Sequence, residues 1–345
     1  MRLKPLFRGP LLGLLLGSAP FTTSLAASAS TTAGPLPWQP YLHVNQGIDL
    51  PSHLLRSVAG DTPARPLIAQ GRSQVPGQPP LVVWAFASGE CGQEQWGEGI
   101  DPGQLVAANA PLFAAAGLRY RISTGGEVGV FTCSSEGGMT RFVERYRSPA
   151  LDGFDFDIEG RQTPEQIDSL VREAAAAARR HPGLHFGFTL ATLAASDGSH
   201  GGLNATGEHV MAALKRHRFD TAVINLMVMN YGPGHARNCV LQADGKTCDM
   251  GRSGLQAALN LQQRHGVPLA RIALTAMLGR NDVAENRFSL ADAQQMQRDA
   301  TAQGLAGLYY WSLDRDAPCP GGATALSPRC HSLADVPAGA FGATR

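Results

Sequence analysis

The chain is 345 residues long and nearly neutral, with 29 Lys+Arg against 28 Asp+Glu and a formal charge of +1. That balance excludes the basic stripe of a nucleic-acid binder, and 43% apolar with 17% charged residues excludes a disordered chain. The 40 glycines and 23 prolines follow no fixed period, so collagen-like and repeat architectures are excluded as well.

Residues 1–29 read as an export signal. Arg2, Lys4 and Arg8 give a basic start, an apolar stretch over residues 11–17 is too short to span a bilayer, and Ala26, Ala27 and Ala29 supply small residues for cleavage. Nothing later approaches a membrane span. A protein secreted or held in a periplasm is expected, with residues 30–345 as a single domain.

Strand-like runs then recur every thirty to forty residues, at 41–48, 81–87, 118–124, 153–159, 185–191, 222–230, 271–277 and 307–312. Residues 65–80 hold four prolines and read as a surface excursion after the first strand. Between most of the runs lie stretches with helical spacing. The clearest starts at Thr163, where Thr163 caps, Pro164 suits the first turn and Gln166 completes a capping box, and it stops at His181-Pro182-Gly183. A second starts at Ser289 with Asp292 three residues on. Eight strands alternating with helices point to the α/β class and a (β/α)8 TIM barrel in one domain. An open doubly wound sheet is the rival that periodicity leaves standing. From His331 onward the chain reads as a frayed end.

Six cysteines occur with no C-x-x-C to suggest zinc. They allow fifteen connectivities. The preferred pairing is nearest-neighbour, Cys91–Cys133, Cys239–Cys248 and Cys319–Cys330, because the last two pairs each close a short Gly/Pro-rich loop.

The chemistry concentrates in LDGFDFDIEG, residues 151–160. In a strand alternate side chains share a face, so Asp155, Asp157 and Glu159 point one way while Phe154, Phe156 and Ile158 point the other. Three inward acids are too costly as mere structure, and they cannot all ionise cheaply, so at least one pKa should rise. Glu159 closes the strand at its carboxyl end, where barrel active sites lie, and is the natural proton donor. Asp152 has the wrong parity to join them and is expected in a loop or supporting role. Acids paired to arginines, or a Mg²⁺ site on D-x-D, are the alternatives. The second lacks a phosphate loop with Lys or a further acidic cluster. No metal ligand set, G-x-S-x-G elbow or full G-x-G-x-x-G is present, and neither metal nor cofactor is called for. Trp38, Trp84 and Trp96 are equally compatible with a sugar groove and with the core.

The pattern DGFDFDIE resembles the signature of glycoside hydrolase family 18, the chitinases and their relatives, and is most similar to bacterial secreted chitinases. Four further segments share the resemblance in order along the chain: Ser123-Thr124-Gly125-Gly126 (S-x-G-G), Met227 to Gly232 (M-x-M-D-Y-G), Met277 to Val283 (M-I-G-x-N-D-V) and Trp311 to Asp316 (W-S-L-x-R-D). The resemblance implies retaining hydrolysis of β-1,4-linked N-acetylglucosamine in which the 2-acetamido group of the substrate, not a carboxylate, is the nucleophile. Glu159 would be the general acid/base, Asp157 would hold the acetamido N–H with Asp155 beneath it, and Tyr231 would bind the acetamido carbonyl. Asp282, Trp311, Met229, Asn230 and Gly126 would line the sugar site, with Trp311 as its apolar floor. Position 230 is Asn where the family variant has Asp, which removes a charge near Glu159, and other branches place their tyrosine where this chain has Met229. The expected partner is chitin or its oligosaccharides, taken by a monomer. A chitin-binding lectin without activity and an endo-β-N-acetylglucosaminidase acting on N-glycans are the alternatives. Intact Glu159 speaks against the first.

Overall fold

A computed structural model describes residues 34–61 and 63–344. Eight parallel strands close into a barrel: β1 (Trp38–His43), β2 (Leu81–Ala87), β3 (Arg119–Gly125), β4 (Leu151–Ile158), β5 (His185–Ala191), β6 (Val223–Met227), β7 (Ile272–Met277) and β8 (Gly307–Trp311). Strand β1 pairs with both β2 and β8, which completes the circle and removes the open doubly wound alternative. Helices α1 (Pro102–Ala115), α2 (Gly138–Arg145), α3 (Pro164–Arg180), α4 (Ala205–Arg216), α5 (Met250–His265) and α6 (Leu290–Gln303) follow β2 to β7 in turn. The expected export segment, residues 1–29, lies outside the described residues, and among those described no helix is long and apolar enough to cross a membrane.

Local chemistry explains the helix boundaries. Thr163 accepts from the Gln166 amide while the Gln166 side chain accepts from the Thr163 amide, so two orphan donors of α3 are satisfied reciprocally. Ser289 and Asp292 do the same for α6. The connection after β1 holds no long helix. It is a helical turn, Val44–Gly47, followed by two small antiparallel hairpins, Arg56–Ser57 with Arg65–Pro66 and Ile68–Ala69 with Arg72–Ser73. The proline-rich excursion is thus on the surface, anchored by buried Leu67 and Val75.

Three boundaries differ from the sequence expectation for identifiable reasons. Strand β1 runs over residues 38–43 rather than 41–48, because Trp38–Pro40 pair with β8 before Tyr41–His43 pair with β2 and the chain then turns helical at Val44–Gly47. Strand β6 stops at Met227, short of residue 230, because beyond Val228 the chain leaves the sheet and Asn230 and Gly232 bond to the loop after β7. The end of the chain is not frayed: His331, Leu333 and Phe341 are buried, and the Asp316 carboxylate accepts from the amides of Phe341 and Gly342 at 3.2 and 2.9 Å.

The apolar layer lies between strands and helices. Phe154 and Phe156 leave the barrel on its outer side, Phe154 against Phe142 and Phe186 and Phe156 against Phe131 and Phe188. Trp38, Trp84 and Trp96 are buried in the same layer, packed on Tyr310, Tyr120 and Tyr146, so none of them lines a groove. Disulfides join Cys91 to Cys133, Cys239 to Cys248 and Cys319 to Cys330. The first ties the loop after β2 to the loop after β3, on the carboxyl side of the barrel.

Asp152 is where strand parity failed. The register between β3 and β4 shifts between Leu151 and Gly153, a bulge that resets which side chains turn inward. A Cβ at Gly153 would sit 1.9 Å from the His185 carbonyl, so only glycine lets β4 approach β5 there. The shift brings Asp152 onto Arg121, which is bonded to it through Nε and NH2 at 3.0 and 2.5 Å and to the Tyr309 hydroxyl through NH1 at 2.9 Å.

Candidate active site

At the carboxyl end of the strands a cleft of about 600 Å³ opens, with Asp157 and Glu159 in its wall and Trp311 and Phe86 stacked beside them at 5.4 Å between ring centroids. The acids stand one above another because β4 is straight from Gly153 onward and its register fixes their neighbours. Asp155 lies opposite Ser123 of β3, and Asp157 lies opposite Gly125 of β3 and Thr189 of β5. A Cβ at Gly125 would lie 2.1 Å from the Asp157 carbonyl, in a backbone with φ of 87°, so the neighbouring strand must carry glycine at that level.

Asp155 is buried and accepts three hydroxyl hydrogen bonds, from Ser123 and Thr189 at 2.7 Å and from Tyr41 at 2.9 Å. Asn225 holds that set in place: its amide donates to Tyr41 and Thr189 at 3.0 and 2.9 Å and its carbonyl accepts from Thr275 at 2.9 Å. Burial pushes the Asp155 pKa up, with the three hydroxyls acting against it. One level higher, Asp157 has no such donors, and its Oδ1 finds no hydrogen-bond partner among the described residues. Burial, then the charges of Glu159 and Asp155, push it well above the carboxylate range. At the top, burial and then the carboxylates of Glu127 and Asp282 push Glu159 up to about 7. The stack is therefore a proton-holding column, opening at Glu159 to the cleft.

Asp282 and Asn230 form the opposite wall. The Asn230 amide donates to Asp282 Oδ2 at 3.0 Å while its carbonyl oxygen accepts from the Val283 N–H at 3.1 Å. The amide orientation is thereby fixed. Asn281 braces the pair from below, accepting from the Asn230 N–H at 3.2 Å and donating to the carbonyls of Met277 and Gly279.

Of the residues expected at the site, Asp157, Glu159, Met229, Asn230, Asp282 and Trp311 line the cleft, with Asp155 directly below. Two do not. Tyr231 is buried in the main apolar core, its hydroxyl has no partner among the described residues, and burial raises its pKa. The chain turns through a left-handed residue at Asn230 (φ 54°), which gives the cleft wall to Met229 and Asn230 and sends the next side chain inward to the core. Gly126 is buried rather than exposed to the cleft. It serves as clearance, since a Cβ there would meet the Phe86 ring at 2.9 Å. Tyr41, Phe86, Glu127, Thr189 and Thr275 line the cleft and were not anticipated. Thr189 and Thr275 carried a usable signal, a lone polar residue at an inward position of an apolar strand. Glu127 carried none.

Among the described residues no group of three or more His, Cys, Asp or Glu is placed to hold a metal ion.

No family model matches the chain. Over 195 residues it is 30% identical to a probable bifunctional chitinase/lysozyme of Escherichia coli (strain K12), a match over 53% of this chain and 21% of that one. Over 174 residues it is 26% identical to Endochitinase 11 of Metarhizium anisopliae, over 49% and 33% of the two chains. It thus spans a fifth to a third of the length of these curated relatives. The catalytic domain of a hyperthermophilic chitinase from Pyrococcus furiosus superimposes with a TM-score of 0.63 at 22% identity, covering 90% of this chain and 95% of that one. The two share the closed barrel fold. The names of these proteins agree with the chitinase resemblance carried by the motifs, and the acid column and cleft occupy the end of the barrel where catalytic barrels keep their sites.

Proposed function

We propose that the chain is a glycoside hydrolase family 18 enzyme, an exported chitinase that cleaves β-1,4-linked N-acetylglucosamine with retention of configuration. The carrying observation is the position of Glu159, a carboxyl group pushed up to about 7 at the top of a buried acid column and facing a cleft walled by Trp311. Near neutral pH such a group is protonated often enough to donate and basic enough to take the proton back.

In this mechanism Glu159 protonates the bridging oxygen. The acetamido carbonyl of the sugar over Trp311 attacks its own anomeric carbon, the C–O bond breaks, and an oxazolinium forms. The unpartnered Oδ1 of Asp157 takes the acetamido N–H and makes the carbonyl a better nucleophile. The Glu159 carboxylate then accepts a proton from water, which attacks from the face the leaving sugar vacated. Because Tyr231 lies in the core and Met229 stands in the wall, the acetamido carbonyl is oriented without a phenol from β6. The three disulfides favour an oxidising compartment, in keeping with export.

The test is product release from a soluble N-acetylglucosamine oligomer by wild type and Glu159→Gln, with the anomer recorded at early times. We expect β-anomer from the wild type and a loss of roughly 10²–10⁴-fold in turnover for the variant, with binding retained. Full activity in the variant would remove Glu159 from the role of acid. Binding without release by the wild type would make the protein a lectin.

A further inference from the structure

The chain as a whole is balanced in charge, yet its cleft is not. Glu127, Asp157, Glu159 and Asp282 line it, and among the described residues that line it none is Lys, Arg or His. Glu127 and Asp282 stand on loops at opposite sides of the barrel, after β3 and after β7, and both act on Glu159. Asp282 has a partner in Asn230. Glu127 is exposed and has no hydrogen bond or ion pair with any described side chain. The nearby guanidinium of Arg161 is bonded instead to the Val128 carbonyl, at 3.2 Å. At the floor of the same cleft the buried, unpartnered Oδ1 of Asp157 marks the groove as built for a polar ligand.

A fully acetylated chain is neutral and gains nothing from Glu127. An unacetylated glucosamine carries an ammonium on C2, and a carboxylate beside it in a cleft free of competing cations would favour it. That sugar cannot be the reacting one, which must bring its own acetamido nucleophile. The reacting sugar lies over Trp311 of β8 and beside Asp282 of the loop after β7. Glu127 is on the far side of Glu159, next to the strand that carries the acid, and so faces the sugar that leaves. We propose that Glu127 makes this a site for mixed, partly deacetylated chains, with an acetylated sugar at the reacting position and a glucosamine favoured on the leaving side. The proposal rests on the hydrolase reading given above and adds the substrate class.

The experiment digests a partly N-acetylated chitosan, with a fully acetylated hexamer as control, and identifies the sugars at the newly formed chain ends by mass spectrometry. With wild type, new reducing ends should be acetylated and glucosamine should be enriched at new non-reducing ends. The expected enrichment over its share in the polymer is about two- to fivefold, the usual worth of one exposed ion pair. Glu127→Gln should bring it to the polymer's own ratio, Glu127→Asp should keep most of it, and about 1 M salt should weaken it. Because the readout is a ratio of ends, any change in overall rate cancels. No enrichment in the wild type, or an undiminished one in Glu127→Gln, would overturn the proposal while leaving the hydrolase intact. Unacetylated new reducing ends would instead sink substrate assistance, and failure on the hexamer would remove both readings together.

Discussion

Strand β4 carries two kinds of buried carboxylate three residues apart, and their charges are handled in opposite ways. Asp152, at the amino end, faces Arg121 at hydrogen-bond distance, Arg119 at 2.9 Å and His185 at 3.4 Å. Burial alone would raise its pKa, but the His185 bond and the Arg121 charge outweigh it and hold the carboxyl well below the usual range. Asp155 and Asp157 have comparable burial but no cation in contact, only hydroxyls for the first and other acids for the second, and both are pushed up. The same residue type on the same strand is thus ion-paired at one end of the barrel and, at the other, set among hydroxyls and acids where burial favours its protonated form. Burial does not distinguish structural from chemical carboxylates here; the sign of their partners does.

The largest effect should come from breaking the ion-paired end. Arg121→Met leaves buried Asp152 with only the exposed Arg119 and His185 as partners and should cost about 3–5 kcal/mol in urea unfolding at neutral pH, because its buried counter-charge is gone. Adding Asp152→Asn should recover much of that loss. The depressed pKa also fixes a direction: its stabilisation is present above the unfolded value, about 4, and disappears as pH falls toward the folded one. The double variant should therefore be less sensitive to acid than the wild type. Equal acid sensitivity in the two would mean that this pair does not govern that limb.

The active end predicts the opposite sign. Glu159 is near 4.5 when unfolded and about 7 when folded, so the folded state is penalised as pH rises from the first value to the second. Above pH 7 the penalty is complete, on the order of 3 kcal/mol for a shift of this size. Glu159→Gln, nearly inactive, should be more stable than the wild type at pH 8 by about that amount, and the advantage should vanish near pH 4. Activity of the wild type should fall as pH rises through about 7, since the acid must carry its proton. Paired unfolding curves at the two pH values check the first expectation and a rate profile checks the second. A variant no more stable than wild type at pH 8 would mean that Glu159 is not held under strain.

How much of this was legible beforehand depended on whether a residue obeyed the regular period of its element. Asp155, Asp157 and Glu159 follow strand alternation from Gly153 onward, and the capping residues at Thr163 and Ser289 act within four residues of chain, so both were readable. Asp152 was misjudged because a bulge at Gly153 breaks the alternation, and Tyr231 because a left-handed turn at Asn230 does the same after β6. The W-S-L-x-R-D segment shows a third kind of limit. Trp311 reaches the cleft, whereas Asp314 accepts from Ser57 and Val58 and Arg315 donates to the Leu278 carbonyl. Those partners are distant in sequence, and only the closed barrel brings them together.

Asn230 offers the smallest test and the most specific. With its oxygen committed to the Val283 N–H, its amide supplies to Asp282 the hydrogen bond that a protonated aspartate would supply, so this pair brings one carboxylate rather than two to the wall of the cleft. Asn230→Asp tolerates the left-handed backbone but sets two carboxylates in contact, and one must hold a proton to keep the geometry. At pH 5 the variant should hold that proton and work close to the wild-type rate. At pH 8 the two charges repel, and kcat/KM should fall on the order of tenfold. A variant that matches the wild type at both pH values would show that the amide is a neutral replacement and that the column under Glu159, not this wall, sets the protonation of the site.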